Sequence, residues 1–184
     1  AGGGGIGAGD DKGLLNLVRH LTTTARANAD YDHDRVGFNY RMTNLQAAVG
    51  CAQMEMLIDF VASKRKIHAT YGNAFHTLRD TSPFPEPEWG HSACWFTGLI
   101  LDHALAKNMP EIRSQLVQSE IDARPFWKPM NLQQPYADVP CEALDVTENI
   151  WRRILTLPCS TGITDMEQQA VINAVIFAIQ ESRQ

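Results

Sequence analysis

The chain of 184 residues is 44% apolar and 20% charged, a composition typical of folded globular domains, which excludes disordered, collagen-like and coiled-coil classes. Its formal net charge is −5 and its basic residues are scattered, apart from the short run Lys64–Lys66, so we expect no nucleic-acid partner. The longest apolar stretches, Ala93–Leu101 and Ala170–Ile179, fall short of the roughly 20 residues that a membrane-spanning helix needs, so we expect no membrane segment.

A glycine-rich segment precedes the first predicted helix. Gly2, Gly4 and Gly7 formally match the dinucleotide-binding fingerprint, but that motif requires a strand before it and a helix directly after it. A flexible or closely packed backbone segment is therefore the favoured interpretation. Asp10 and Asp11 can cap a helix that ends at the run Thr22–Thr24. Its apolar residues share one face and are Leu14, Leu15, Val18 and Leu21.

The polar segment Ala25–Arg35 follows. Its aspartates and His33 permit a metal site, but a solvated acidic loop is the commoner outcome for such a pattern. Thr43 and Gln46 then form a capping box that begins a helix with apolar residues on two sides. Such a helix is expected to be buried, either in a core or across a subunit interface.

Helical character continues through Ser63–Leu78, with basic residues on a hydrated face, namely Lys64, Arg65, Lys66 and Arg79. Prolines 83, 85 and 87 predict a linker. Beyond it we predict a buried strand at Ala93–Leu101, a helix that begins near Pro110 and a strand at Ile121–Trp127. The inner face of that helix is predicted to carry Ile112, Leu116 and Val117.

A second capping box, Thr164 with Glu167, begins the strongest predicted helix of the chain. Its inner face is predicted to carry Val171, Ala174, Val175, Ala178 and Ile179. Strands that alternate with helices in this order predict a small α/β or α+β domain. The separated cysteines, which form no C-x-x-C pair, predict buried free thiols in a reducing cytoplasm rather than metal ligands or disulfides; they are Cys51, Cys94, Cys141 and Cys159.

One segment carries the residue types of an anion site. In Gly37–Met42 the amide of Asn39, the phenol of Tyr40 and the guanidinium of Arg41 stand directly before a capped helix N-terminus, whose free N–H groups favour phosphates. The alternative is that Arg41 pairs with an acid and Asn39 caps a turn. The residues alone favour neither.

The segment Gly37–Glu55 resembles the signature of DegT/StrS-type sugar-nucleotide aminotransferases. Gly2–Gly5 is similar to the glycine run that follows the cofactor lysine in that family. Ala123–Met130 resembles its substrate-side segment, and Leu157–Asp165 resembles its C-terminal motif. These motifs occur in the family's order and span essentially the whole chain.

The resemblance implies the C-terminal portion of a pyridoxal-phosphate transferase fold. Residues 1–62 would be a remnant of the large α/β cofactor domain, and residues 63–184 a small α+β domain. The family transfers an amine from glutamate to a nucleotide-linked keto-sugar, as in cell-surface polysaccharide or deoxyamino-sugar biosynthesis, and it forms dimers that share their active sites.

By the same resemblance, Asn39 would reach the pyridoxal phosphate held by the other subunit, with Arg41 nearby. Lys128 and Asn131 would lie toward the nucleotide-sugar, although the family commonly has His where Asn131 stands. No residue of the chain takes the place of the family's Schiff-base lysine, which comes just before the glycine run. We therefore expect a cytoplasmic aminotransferase part that is inactive alone and self-associates, or alternatively a non-catalytic dimerisation module.

Overall fold

The computed structural model describes residues 2–183. Ala1, the first residue of the predicted range 1–62, and Gln184, the last residue of the predicted range 63–184, lie outside the described residues. The chain divides into an N-terminal unit, Ala1–Leu57, and a C-terminal unit, Ile58–Gln184. The helices are α1 (Lys12–Thr22), α2 (Asn44–Glu55), α3 (Leu57–Phe75), α4 (Met109–Gln118), α5 (Asp145–Ile150) and α6 (Asp165–Glu181). The strands are β1 (Thr81–Pro83), β2 (Gly98–Leu101) and β3 (Ile154–Thr156).

The predicted helix α1 is confirmed at both ends. The Asp11 carboxylate accepts a hydrogen bond from the backbone N–H of Leu14 at 3.0 Å, which satisfies one free donor of the first turn. At the other end, the hydroxyls of Thr22 and Thr23 donate back to the carbonyls of Val18 and Arg19, both at 2.8 Å. Threonine side chains that bond to the preceding turn compete with further helix, so α1 ends where the threonine run was predicted to end it.

Residues 36–40 return alongside the end of α1. The N–H of Phe38 donates to the carbonyl of Leu21 at 2.7 Å, and the carbonyl of Phe38 accepts from Thr24 at 3.0 Å. This approach requires Gly37, because a Cβ there would overlap the backbone of Thr24 and Ala25. The predicted loop Ala25–Arg35 joins the two segments, and no group of three His, Cys, Asp or Glu side chains within residues 2–183 is arranged to hold a metal ion.

The Thr43 capping box of α2 is also confirmed. The Gln46 side chain accepts from the Thr43 N–H at 3.0 Å, and the Thr43 hydroxyl accepts from the Gln46 N–H at 3.3 Å. The alternative in which this helix is buried in a core is wrong for this chain, since none of its residues is buried and Leu45 is 83% exposed. Its burial across a subunit interface stays a prediction. No single described helix is long and apolar enough to cross a membrane, and only α2 and α3 together, as a bent pair, pass that test by length and composition.

The C-terminal unit contains an antiparallel sheet in the order β1-β2-β3. All four residues of β2 are buried, as predicted for this region, but the strand is shorter than Ala93–Leu101. Cys94 has a φ of 48°, a left-handed conformation that no extended strand can contain. The first proline of the predicted linker, Pro83, is the last residue of β1, because proline is tolerated at the end of an edge strand, where its missing N–H is not needed.

The strand predicted at Ile121–Trp127 is wrong. Ile121 and Ala123 are buried, with the alternation of an extended chain, but only one isolated bridge joins Pro125 to Leu155. Proline cannot donate to a ladder, so the segment lies beside the sheet without becoming part of it. The third strand is instead β3, which the sequence analysis missed.

Helices α4 and α6 pack on each other and complete the core. Pro110 lies in the first turn of α4, as predicted. Ile112 and Leu116 are buried, whereas the prediction that Val117 shares their inner face is wrong, because Val117 is exposed. In α6 the Thr164 capping box is confirmed, and the predicted inner residues are buried apart from Ala174, which is half-buried.

The prediction of buried thiols holds for Cys94 only, since Cys51 and Cys141 are exposed and Cys159 is intermediate. An apolar neighbourhood in sequence therefore does not imply burial in the fold.

Candidate cofactor and substrate sites

A cleft of about 400 Å³ within the N-terminal unit brings the glycine run and Arg41 together. Gly5, Gly7, Arg19, Tyr40 and Arg41 line it, and no carboxylate does. Two guanidinium groups beside glycine backbone form an electropositive cleft that suits a phosphate. The sequence analysis missed Arg19, although its place in the last turn of α1, one turn after Leu15, was available as a signal.

Within the glycine run, Gly4 packs closely against the side chain of Met42. Gly4 has a φ of 131°, and a Cβ there would lie 2.6 Å from Cε of Met42. A larger residue would be strained by its backbone conformation and by this contact.

Asn39 is exposed and lies outside the lining of that cleft. Its backbone forms a bridge with Thr23, while its side-chain amide makes no hydrogen bond to another described residue. Arg41 is exposed and forms no ion pair within residues 2–183. The geometry within residues 2–183 therefore does not support the alternative in which Asn39 caps a turn and Arg41 pairs with an acid.

Lys128 lies at a second, mostly apolar cleft of about 650 Å³ in the C-terminal unit, and Asn131 lies outside the lining of that cleft. Lys128 is exposed and lines that cleft together with Trp127, Met130 and Trp151. Asn131 donates its side-chain N–H to Glu148 at 2.7 Å, while its amide oxygen is buried without a hydrogen-bond partner. A buried acceptor without a donor lowers stability, so this oxygen is a candidate for accepting a ligand hydroxyl.

Five aromatic rings meet beside Lys128, around a smaller cavity of about 220 Å³ that we call the aromatic slot; they are Phe84, Trp95, Phe96, Phe126 and Trp127. Trp95 and Trp127 stack with ring centroids 5.6 Å apart and 21° between their planes, and Phe96 lies 5.1 Å from Trp127. The slot is a binding feature that the sequence analysis missed, although the Trp-Phe and Phe-Trp pairs were visible.

Polar groups of the aromatic slot come from Glu86, Ser92 and His68. The Cys94 thiol, which also lines it, donates to a Glu86 carboxylate oxygen at 3.6 Å. Burial raises the pKa of the Cys94 thiol and keeps it neutral, so this thiol acts as a donor that helps to position Glu86.

The chain has five lysines, and the structure accounts for the environment of each. The prediction that Lys64 lies on a hydrated face is wrong, because it is half-buried and its ammonium donates to the carbonyls of Trp95 and Cys159. Lys66 pairs with Asp165 at 3.2 Å, and the others are exposed, namely Lys12, Lys107 and Lys128. A lysine nucleophile is normally activated by desolvation or by a cationic neighbour, and Lys128, the lysine that lines the apolar cleft, is exposed to solvent rather than desolvated.

Known proteins similar to this chain match it over nearly its whole length. The profile of the DegT/DnrJ/EryC1/StrS aminotransferase family matches residues 1–176. The chain is 34% identical to EpsN of Bacillus subtilis (strain 168) over 180 residues, which cover 95% of this chain and 46% of EpsN. It is 30% identical to the GDP-perosamine synthase of Caulobacter vibrioides over 174 residues, which cover 94% of this chain and 47% of that protein.

Solved structures support the fold. PseC of Helicobacter pylori, an aminotransferase involved in the biosynthesis of pseudoaminic acid, superposes with a TM-score of 0.83 at 17% identity over 93% of this chain and 47% of its own. This likeness confirms the predicted partial α/β transferase fold. The chain spans about half the length of the curated relatives that it matches. On these grounds, the chain belongs to the DegT/DnrJ/EryC1/StrS aminotransferase family.

Proposed function

We propose that the protein that carries this chain transfers an amine from glutamate to the keto group of a nucleotide-linked sugar. The observation that carries the proposal is the family match over residues 1–176, joined to a relative at 30% identity that is named GDP-perosamine synthase. Pyridoxal phosphate, when bound, supplies the electron sink through which the amine moves.

In this proposal the residues of the N-terminal unit bind the cofactor phosphate. Asn39 donates its side-chain N–H to a phosphate oxygen of the cofactor in the other subunit of a homodimer, and Arg41 adds positive charge beside it. The exposure of both side chains and the absence of a carboxylate from the Arg41 cleft support this role.

The residues of the C-terminal unit bind the second substrate. Lys128 contacts the diphosphate of the nucleotide-sugar, since its exposed ammonium has no ion-pair partner among residues 2–183. Asn131 orients the sugar through its amide oxygen, whose lack of a donor supports the assignment. The polar ligand groups would thus be held by this chain's own side chains.

The 184 residues alone are proposed to lack aminotransferase activity and to self-associate. Lys128 and two other lysines are exposed rather than desolvated, the ammonium groups of Lys64 and Lys66 are bound by backbone carbonyls and by Asp165, and the apolar residues of α2 are exposed. Turnover of glutamate with a keto-sugar nucleotide by the isolated chain, abolished in Lys128→Ala, would overturn this assignment.

The shared site is tested with Asn39→Ala in a full-length protein that carries this chain. Loss of a hydrogen bond to a charged group should weaken pyridoxal phosphate binding roughly tenfold to hundredfold, with the fold unchanged. Asn73→Ala, an exposed change in α3, is the control and should leave cofactor affinity unaltered.

An experiment that mixes two inactive variants then shows which subunit supplies Asn39. Heterodimers of the Asn39→Ala protein with a protein that lacks the cofactor lysine should regain one competent site, because the lysine-bearing subunit receives Asn39 from its partner. Heterodimers that form but stay inactive would mean that Asn39 does not act across the interface.

A further inference from the structure

We propose that the aromatic slot binds the base of the nucleotide-sugar and that Glu86 selects guanine. The proposal rests on the proposed function for the presence of a nucleotide, and it names the nucleotide class that the site would take. All the residues that carry it lie in the C-terminal unit, so it depends on no other part of the molecule.

The rings of the slot provide a stacking surface. Trp95 and Trp127 are 65% and 59% exposed although each stacks on a neighbour, so more than half of each residue's surface is open to a ligand. Exposed apolar side chains that form one contiguous patch mark binding surfaces, and nucleobases stack readily on aromatic rings. A planar ligand is therefore the class that this surface fits.

The size of the slot limits that ligand. Pockets that enclose drug-sized ligands have volumes of roughly 300–1,000 Å³. At about 220 Å³ the aromatic slot is smaller, which suits one ring system with the rest of the ligand outside it. Lys128 follows Trp127 directly in the chain and is exposed, so a positive charge is available beside the slot for the phosphates.

Glu86 determines which base fits. A carboxylate accepts hydrogen bonds and donates none, and Glu86 forms no ion pair within residues 2–183. Guanine presents two adjacent donors, N1–H and the N2 amino group, that match two carboxylate oxygens. Uracil and thymine present one such donor, and adenine presents an acceptor beside its amino group, which a carboxylate repels. The slot should therefore prefer guanine over the other bases.

The experiment titrates the 184-residue chain with GDP, IDP, ADP and UDP, followed by tryptophan fluorescence and by calorimetry. We expect GDP to bind more tightly than the other three, and IDP, which lacks the N2 amino group, to be the closest competitor. Glu86→Gln should weaken GDP binding roughly tenfold or more and remove the preference over IDP. Glu88→Gln, an exposed carboxylate outside the slot, is the matched control and should change nothing.

Stacking is tested separately with Trp95→Ala, which should weaken GDP binding roughly fivefold to a hundredfold. Its control is Trp89→Ala, a 90% exposed indole outside the slot, and unfolding curves check that each variant is folded. Absence of GDP binding, or equal binding of UDP with Glu86→Gln unchanged, would overturn the guanine assignment.

Failure of this proposal is distinguishable from failure of the proposed function. A full-length protein that aminates a uridine- or thymidine-linked keto-sugar would overturn the guanine slot and leave the proposed function intact. A full-length protein that aminates no nucleotide-linked keto-sugar would overturn the proposed function itself.

Discussion

The N-terminal and C-terminal units differ in burial far more than in local structure. Both contain amphipathic helices, and each has a threonine capping box, at Thr43 and at Thr164. Yet the C-terminal unit contains every buried apolar residue described except Ala25. In the N-terminal unit the apolar residues of α1 and α2 remain exposed, among them Leu14, Val18, Leu45, Val49 and Met54.

This difference separates helix formation from stability. Caps and periodicity specify where a helix begins and ends, but most helical stability in proteins comes from packing an apolar face. The C-terminal unit packs α4 and α6 around residues of the sheet, while α2 has no buried residue. We therefore expect the C-terminal unit to carry the cooperative unfolding of the chain.

The largest difference is expected when the two units are expressed as separate proteins. Residues 58–184 expressed alone should unfold in urea with the same midpoint as the 184-residue chain, because the buried cluster is complete within them. All four tryptophans, at 89, 95, 127 and 151, lie in that segment and report its transition. Residues 1–57 alone should show no cooperative transition by circular dichroism, and a sharp one would contradict the comparison.

The second test is a pair of substitutions in α4. Ile112 is fully buried, so Ile112→Ala should lower the free energy of unfolding by about 2–5 kcal/mol through lost burial and the cavity it leaves. Val117→Ala on the exposed face should stay within about 0.5 kcal/mol. Urea unfolding followed by tryptophan fluorescence measures both, and equal losses would mean that the assignment of faces is wrong.

Local signals in the sequence predicted most of the helices, although the short helix α5 was missed. Asp11, Thr43, Pro110 and Thr164 each mark a helix start that the structure contains, because a cap depends on residues within one turn. The strands were harder to predict. Ile121–Trp127 alternates like a strand but forms no ladder, and β3 was missed, since a ladder depends on partners far away in sequence.

The residues of the candidate sites likewise differ in whether local sequence could predict them. Asn39 and Arg41 could be proposed from the sequence because they stand beside a recognisable helix start. Arg19 and the aromatic slot could not, since both depend on segments that meet only in the fold. Likewise, the basic run that contains Lys64 gave no sign that its ammonium would bind two distant backbone carbonyls.

A third test uses the exposed face of α2. If self-association buries this face, Leu45→Glu should weaken it about tenfold or more, because a carboxylate would enter an apolar interface. Val146→Glu, an equally exposed position in α5 of the C-terminal unit, is the control and should leave association unchanged. Sedimentation equilibrium measures the association constant, and a larger effect of Val146→Glu would move the interface to the other unit.

The smallest effect is expected from the charge of a capping box, since the α6 box contains a glutamate and the α2 box contains a glutamine. In the α6 box the Glu167 carboxylate accepts from the N–H and the hydroxyl of Thr164, at 2.7 and 2.8 Å, and these hydrogen bonds lower the pKa of Glu167 from its ordinary value of 4.5. A group with a lowered folded-state pKa stabilises the fold above its ordinary pKa and loses that contribution as the pH falls through the folded value.

Glu167→Gln therefore should make the α6 box resemble the uncharged Thr43–Gln46 box of α2 and remove this part of the acid dependence. The variant and the parent chain should differ most in urea midpoint above pH 4.5, and the difference should shrink as the pH falls below that value. The effect should be small because Glu167 is exposed to solvent, which screens its interactions. Glu111→Gln, in the first turn of α4 with no side-chain hydrogen bond to a described residue, is the control. A difference between Glu167→Gln and the parent that stays constant from pH 7 to about pH 3 would mean that the carboxylate charge adds nothing to the cap.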